Sequence, residues 1–207
     1  SRSLFFIIRK EVKMKKTKWN IIIIFISSFI LISPLLFSDY VIKDDTEFHI
    51  ANITATIETM DDFIPDVISP LIAKDFGYAT RLFYPTLAHT SVAYISKLTT
   101  LNVTDSLKVT YFITLFLSGL SMFFLSKKLS KSNKIALISS IIYMSFPYHL
   151  SEIYIRDALA ENFIFIFLPM ILEGLAYVFE NKKKFYLLFV IGYVGGILSH
   201  LTLMVYF

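Results

Sequence analysis

The residues with most capacity for chemistry fall in two short polar strings beside long apolar runs. The first is Lys43-Asp44-Asp45-Thr46-Glu47-Phe48-His49. Asp45 and His49 are four apart, which sets them on one face of a helix starting near Thr46. A carboxylate there can act as a general base or hold a divalent metal. Asp44 or Asp45 can equally serve as the helix N-cap, accepting backbone N–H bonds. The second string runs from Tyr148-His149 through Glu152, Tyr154, Arg156 and Asp157 to Glu161. Helical spacing pairs Glu152 with Arg156, an ion pair worth little if exposed. It also sets Asp157 against Glu161, two like charges that repel unless Arg156 or an outside cation lies between them.

Two further polar residues lie inside apolar runs. Glu173 lies about seven residues from the end of its run at Glu180; a charge at mid-helix costs on the order of 2.5–3.5 kcal/mol on insertion scales, though one nearer the end can snorkel, so a bundle-facing partner and a function are both open. His200 suits either a polar cavity or a hydrogen bond to a neighbouring helix. Gly192, Gly195 and Gly196 read as close helix packing. The sequence holds no P-loop, no H-E-x-x-H and no G-x-S-x-G. It has no cysteine, so disulfides, thiolate nucleophiles and Cys-ligated zinc are excluded. Asn52-Ile-Thr54 and Asn102-Val-Thr104 match the N-glycosylation triplet, which is common by chance.

The elements that must position these residues follow from composition. Hydrophobic residues are 56% of the 207, charged residues 17%, and mean hydropathy is +0.65. A soluble domain holds about 45–50% apolar and about 25% charged residues. The excess excludes a soluble enzyme, a disordered chain and a disulfide-stapled scaffold. The expected fold is all-α: a polytopic transmembrane helix bundle with a long outer first loop containing amphipathic helices. A basic leader, 1–18, precedes spans at 19–38, 105–126, 135–150, 162–180 and 185–207, all but the short third near the length a hydrocarbon core of about 30 Å requires. The first of these lacks a small-x-small cleavage site and reads as an uncleaved span. The third ends at Phe146-Pro147-Tyr148, where its upper end is expected to be distorted. Within the outer loop, 39–104, the piece Leu82–Leu98, interrupted by Pro85, His89 and Lys97, is expected on the membrane surface or packed on the bundle.

Charge orients the spans. Lysines and arginines cluster in the leader and in the loops 127–134 and 181–184, while the loops 39–104 and 151–161 carry the acids. The positive-inside rule then puts the N-terminus in the cytoplasm and the acidic strings outside a plasma membrane. The net charge of +4 is therefore a topology signal and not a nucleic-acid one. Residues 1–13 are unlike a natural start, whereas Met14 followed by lysines is typical of one. The last run stops inside a span. An N-terminal piece of a larger protein is expected, and the sequence does not set its oligomeric state.

These features resemble the GT-C superfamily of membrane proteins, most closely the group called "6-pyruvoyl-tetrahydropterin synthase-related", allied to YfhO-type proteins. Asp45-Thr-Glu-Phe-His49 resembles that group's D-x-x-F-H loop motif. Phe76-Gly-Tyr78 through Phe83-Tyr84-Pro85-Thr-Leu87 resembles its G-Y … F-Y-P-P-L segment, with Thr86 replacing the second proline. Tyr148-His149 through Tyr154-Ile-Arg156-Asp157-Ala-Leu-Ala-Glu161 resembles its Y-R … Y-x-R-G-A-L-A-E stretch, with Asp157 where glycine is usual. The change brings a charge, so no role is carried over to Asp157. The resemblance implies a glycosyltransferase using a polyprenyl-phosphate sugar donor, with Asp45, or less directly Asp44, as base or metal ligand. A divalent cation such as Mg2+ or Mn2+ is compatible with that role. Arg156 would meet the donor phosphate. Glu161, His49, Tyr84 and His149 would position substrates. The alternative class is non-enzymatic: a transporter or flippase for a lipid-linked glycan, or an assembly factor, for which Glu173 and His200 would be the telling residues.

Overall fold

The computed structural model describes residues 2–61, 64, 68 and 76–206, with side chains from Thr17 onward except at 80, 81 and 184. Asp62, Asp66 and Asp75, in the loop expected on the outer side, lie outside the described residues. Helices make up the fold: α1 (Arg2–Leu36), α2 (Thr46–Thr59), α3 (Thr80–Phe83), α4 (Leu87–Thr99), α5 (Val103–Ser130), α6 (Asn133–Met144), α7 (Pro147–Ser151), α8 (Leu159–Phe179), α9 (Tyr186–Ser199) and α10 (Leu201–Met204). A π-helical turn (Glu152–Arg156) joins α7 to the approach to α8. No strand occurs among the described residues; isolated bridge residues are Asp61 with Ile64, and Tyr78.

Three helical stretches are long and apolar enough to cross a membrane: Thr17–Leu36, Val103–Ser130 and Leu159–Phe179. The sequence sets their ends. Asn102 caps α5 by accepting the Asp105 N–H at 2.7 Å, and Lys131 closes it in the left-handed region with φ 57. Ser132 caps α6 in the same way through the Ile135 N–H. The third and fifth expected spans are shorter as continuous helices. α6 has 12 residues and stops before Phe146, because Pro147 cannot extend a helix but suits the first position of a new one. α9 has 14 residues and stops where His200 turns extended, with φ −153 and ψ 95.

The Leu82–Leu98 piece is likewise split, Pro85 separating α3 from α4. α4 packs on the bundle, with Ala88, Val92 and Ala93 buried. A contiguous core of Ile24, Ile32, Leu107, Tyr111, Leu115, Met144 and Leu159 joins α1, α5, α6 and α8. Ile22, Phe25, Ile26, Phe29 and Ile30 on α1 stay exposed, as a lipid-facing stripe would.

Glycine lets α8 and α9 meet backbone to backbone. A Cβ on Gly174 would lie 2.5 Å from the Phe189 backbone nitrogen and 2.6 Å from its Cα, and one on Gly192 would lie 2.9 Å from the Ile171 nitrogen. Close approach of this kind is the usual packing device where no hydrophobic effect drives helices together. Gly174→Ala is expected to push α9 away and destabilise the fold by about 1–3 kcal/mol. Thermal unfolding in detergent measures it, and an unchanged midpoint would refute the backbone contact.

The two ends of the bundle differ in charge. At one end Lys127 donates to Thr17 Oγ1 at 2.8 Å, and Glu180 pairs with Lys128 and with Lys182 at 2.6 Å. At the other end the C-terminus of α1, the N-termini of α5 and α8 and the end of α9 gather the two acidic strings.

Candidate functional site

The acidic end is held together by Asp157. This residue ends the π turn in the left-handed region, φ 62, and is fully buried. That conformation favours glycine, and Asp is one of the few other residues that adopts it readily. Its carboxylate accepts the Tyr40 hydroxyl at 2.7 and 2.9 Å, the Tyr111 hydroxyl at 2.8 Å and the Thr46 hydroxyl. The Lys43 ammonium lies 3.3 Å away and also donates to the Ile153 carbonyl at 3.0 Å. Burial and the Asp157 charge push the Tyr40 phenol far above its ordinary pKa, so it remains a donor. The Asp45 N–H completes the join by donating to the Arg156 carbonyl at 2.9 Å. Residues 40–46 are thereby stitched to residues 153–157. Sequence reasoning assigned Asp157 no role because of its charge; Lys43 matches that charge.

Asp45 takes the N-cap position of α2, but its side chain makes no cap hydrogen bond. The hydroxyl of Thr46 does local work instead, accepting the Lys43 N–H at 2.9 Å. The Asp45 carboxylate is left to face a half-open pocket of about 160 Å³, also lined by Phe48, His49, Tyr84, Arg156, Glu161 and His200. Arg156 organises it. Its Nη1 binds Glu152 Oε2 at 2.8 Å and Glu161 Oε1 at 3.1 Å, and its Nη2 stands 3.7 Å from Asp45 Oδ2.

The expected Glu152–Arg156 pair is thus present. Asp157 and Glu161 do not face each other, since Asp157 turns inward while Glu161 meets Arg156 and accepts the Tyr148 hydroxyl at 2.9 Å. Burial works against the Arg156 cation, yet Glu152 and Glu161 overcome it and raise its pKa above the ordinary arginine value. Glu152 is fully buried, and its Oε1 has no partner among the described residues. Burial first, and then the Glu161 charge, raise the Glu152 pKa. Burial and the carboxylates of Asp45 and Glu161 push the Tyr84 phenol up to about 12, so it is protonated at neutral pH.

His49 has no free nitrogen. Its Nε2 lies 3.3 Å from the Leu159 N–H, which can only donate, so the ring proton sits on Nδ1. Nδ1 then donates to His89 Nε2 at 2.8 Å. Burial lowers the His49 pKa to about 4, against the opposing pull of Asp157 and Asp45. The ring is neutral at pH 7 and fixes α2 to α4 and to the start of α8. Because the folded pKa lies below the ordinary value, its contribution to stability is complete above about pH 6.5. That contribution drains as pH falls toward 4, with a ceiling of roughly 3 kcal/mol. Thermal unfolding at pH 7 and pH 5 is therefore expected to show a smaller acid loss for His49→Gln than for the parent. Equal losses would trace the pH dependence to other groups.

The remaining expected residues separate. Asp44 is exposed and does not line the pocket. His149 is buried, stacked on Phe165 at 3.8 Å with Nδ1 against the Tyr143 carbonyl at 3.2 Å, and so belongs to the packing of α7 on α8. Glu173 is half-buried on α8, away from the pocket. His200 does reach the pocket, its ring centroid 6.4 Å from that of Tyr84, while its Nδ1 caps α10 by accepting the Leu203 N–H at 3.3 Å. Its signal was visible as a lone histidine in an apolar run. Among the described residues no group of three or more His, Asp or Glu side chains is set to hold a metal ion. The Asp45 carboxylate instead faces the Arg156 guanidinium.

A second, apolar cleft of about 220 Å³ is lined by Leu82, Phe83, Pro85, Ile197, Leu198 and Leu201. Tyr84 lines both cavities, so the polar pocket and the apolar cleft adjoin across one side chain. No family model, curated protein or solved structure matches the chain.

Proposed function

We propose that this protein is a membrane-embedded glycosyltransferase of the GT-C type, moving a sugar from a polyprenyl-phosphate donor to an acceptor on the outer side of a plasma membrane. The observation that carries this reading is the pairing at Tyr84 of a carboxylate-lined pocket with an apolar cleft. An amphiphilic substrate, sugar at one end and isoprenoid at the other, has the same division of polarity.

In the reaction Asp45 takes the proton from an acceptor hydroxyl. The acceptor oxygen bonds to the anomeric carbon as the bond from that carbon to the phosphate oxygen breaks, and polyprenyl phosphate leaves. Arg156, already engaged by Glu152 and Glu161, holds Asp45 in place. Glu161 and Tyr84 orient the sugar hydroxyls. His49 acts through position alone, both its nitrogens being engaged. Membranes containing the full-length protein, given a labelled mixture of polyprenyl-phosphate sugars, are expected to transfer label above empty membranes. Absence of transfer across the mixture would sink this reading.

One feature favours the second reading, a transporter of lipid-linked glycans. The apolar segment 186–204 is broken at His200, and discontinuous helices line substrate paths in transporters. Translocation of a labelled lipid-linked glycan without transfer, abolished by His200→Ala, would select it.

A further inference from the structure

The pocket has more negative than positive charge to offer a ligand. Among the described residues its one cation is Arg156, engaged by three carboxylates: Glu152 at 2.8 Å, Glu161 at 3.1 Å and Asp45 at 3.7 Å. Even with Glu152 protonated, two carboxylates remain for one guanidinium. An anionic group entering here meets carboxylates and must displace one of them from Arg156, breaking a charge-assisted contact.

A cationic group meets the opposite situation. Among the described residues the Asp45 carboxylate has a single partner, the guanidinium at a distance too long for a hydrogen bond, so its acceptor sites are open toward them. Glu161 has Arg156 on one oxygen and Tyr148 on the other, and each oxygen keeps a further lone pair. Behind the guanidinium, the fully buried Glu152 leaves one oxygen with no partner among the described residues. Aromatic rings complete the wall: Phe48 and Tyr84 stand edge to face at 5.1 Å, and both line the pocket. Rings in a partly closed site add attraction for an ammonium group.

From this juxtaposition we propose that the group held in the pocket carries an ammonium. Taken with the glycosyltransferase reading, on which the identity of the ligand as a sugar rests, the sugar is an amino sugar with a free amine, its –NH3+ set against Asp45 and Glu161. The acetylated amine, which is neutral, and a phosphorylated sugar, which is anionic, lack this match.

The test is binding, independent of turnover. The full-length protein in nanodiscs is titrated with glucosamine, N-acetylglucosamine and glucose 6-phosphate, followed by calorimetry or saturation-transfer NMR. Glucosamine is expected to bind at least about tenfold more tightly than either of the others, and Asp45→Asn and Glu161→Gln are each expected to erase the difference. Raised salt should narrow it, as for any half-exposed ionic contact. Equal affinities, a preference for the phosphate, or no binding of glucosamine would overturn the proposal. The parent comparison needs no variant to fold, and the two substitutions check each other. An amine preference in a protein that transfers no lipid-linked sugar would keep the ammonium site and remove the transfer reaction. Transfer of neutral sugars with no amine preference would do the reverse.

Discussion

Asp157→Ala is expected to destabilise the protein by about 3–5 kcal/mol, the usual cost of breaking a buried ion pair by removing one partner. Three hydroxyls and an ammonium converge on this carboxylate, from Tyr40, Thr46, Tyr111 and Lys43. Its removal strands the Lys43 charge in a buried position and leaves the hydroxyls without their acceptor. Comparison with Asp157→Gly separates backbone from side chain. Glycine relieves the left-handed conformation and is expected to recover about 1 kcal/mol relative to alanine, no more. Adding Lys43→Met to Asp157→Gly should make the double variant less unstable than the two separate losses combined, because the stranded charge has gone. Unfolding midpoints in detergent report these variants and Lys43→Met alone, and a parent-like midpoint for Asp157→Ala would refute the anchoring role.

The second large effect is on activity. Asp45→Asn is expected to lower sugar transfer by about 10²–10⁴-fold, the range lost when a positioned general base is removed. Stability should change little, since the Asp45 side chain makes no cap bond and only a 3.7 Å ion pair. The substitution leaves the Asp45 N–H bond to the Arg156 carbonyl intact, so the loop stays in place. Loss of transfer with an unchanged unfolding midpoint would assign the proton to this carboxylate. Transfer at the parent rate would move the base elsewhere, with Glu161 next in line because it shares the pocket.

Much of the fold was legible because apolar runs have a local signature. The helices at 17–36, 103–130 and 159–179 follow from length and hydropathy alone. Their breaks were half legible. Pro147 announced one, but nothing in the local sequence distinguishes the extended His200 from a helical one. Within the site, Asp45, Arg156 and Glu161 were named because charges clustered beside a membrane span are conspicuous, and Tyr84 because of its place in the resembling F-Y-P segment.

Asp157 was missed for a physical reason. Its partners lie 46 to 117 residues away, and helical spacing sees only three or four. The glycine usual at that position in the resembling motif held the missing information, since a glycine there marks a left-handed turn. His149 failed in the opposite sense. Its place beside a polar string suggested the pocket, whereas stacking on Phe165 took it inward.

The π turn has a consequence for how length changes are tolerated near the site. A π turn is an α turn that has taken in one extra residue. Deleting one residue within Glu152–Arg156 would let the stretch wind as ordinary α-helix, four residues covering nearly the same rotation as five in the wider turn, so the chain on either side would keep its relative angle. The same deletion inside α8 would rotate one half of that helix against the other by about 100°. The turn thus stores one spare residue, and at 152–156 a one-residue loss should act through the side chain removed and hardly at all through the direction of α7.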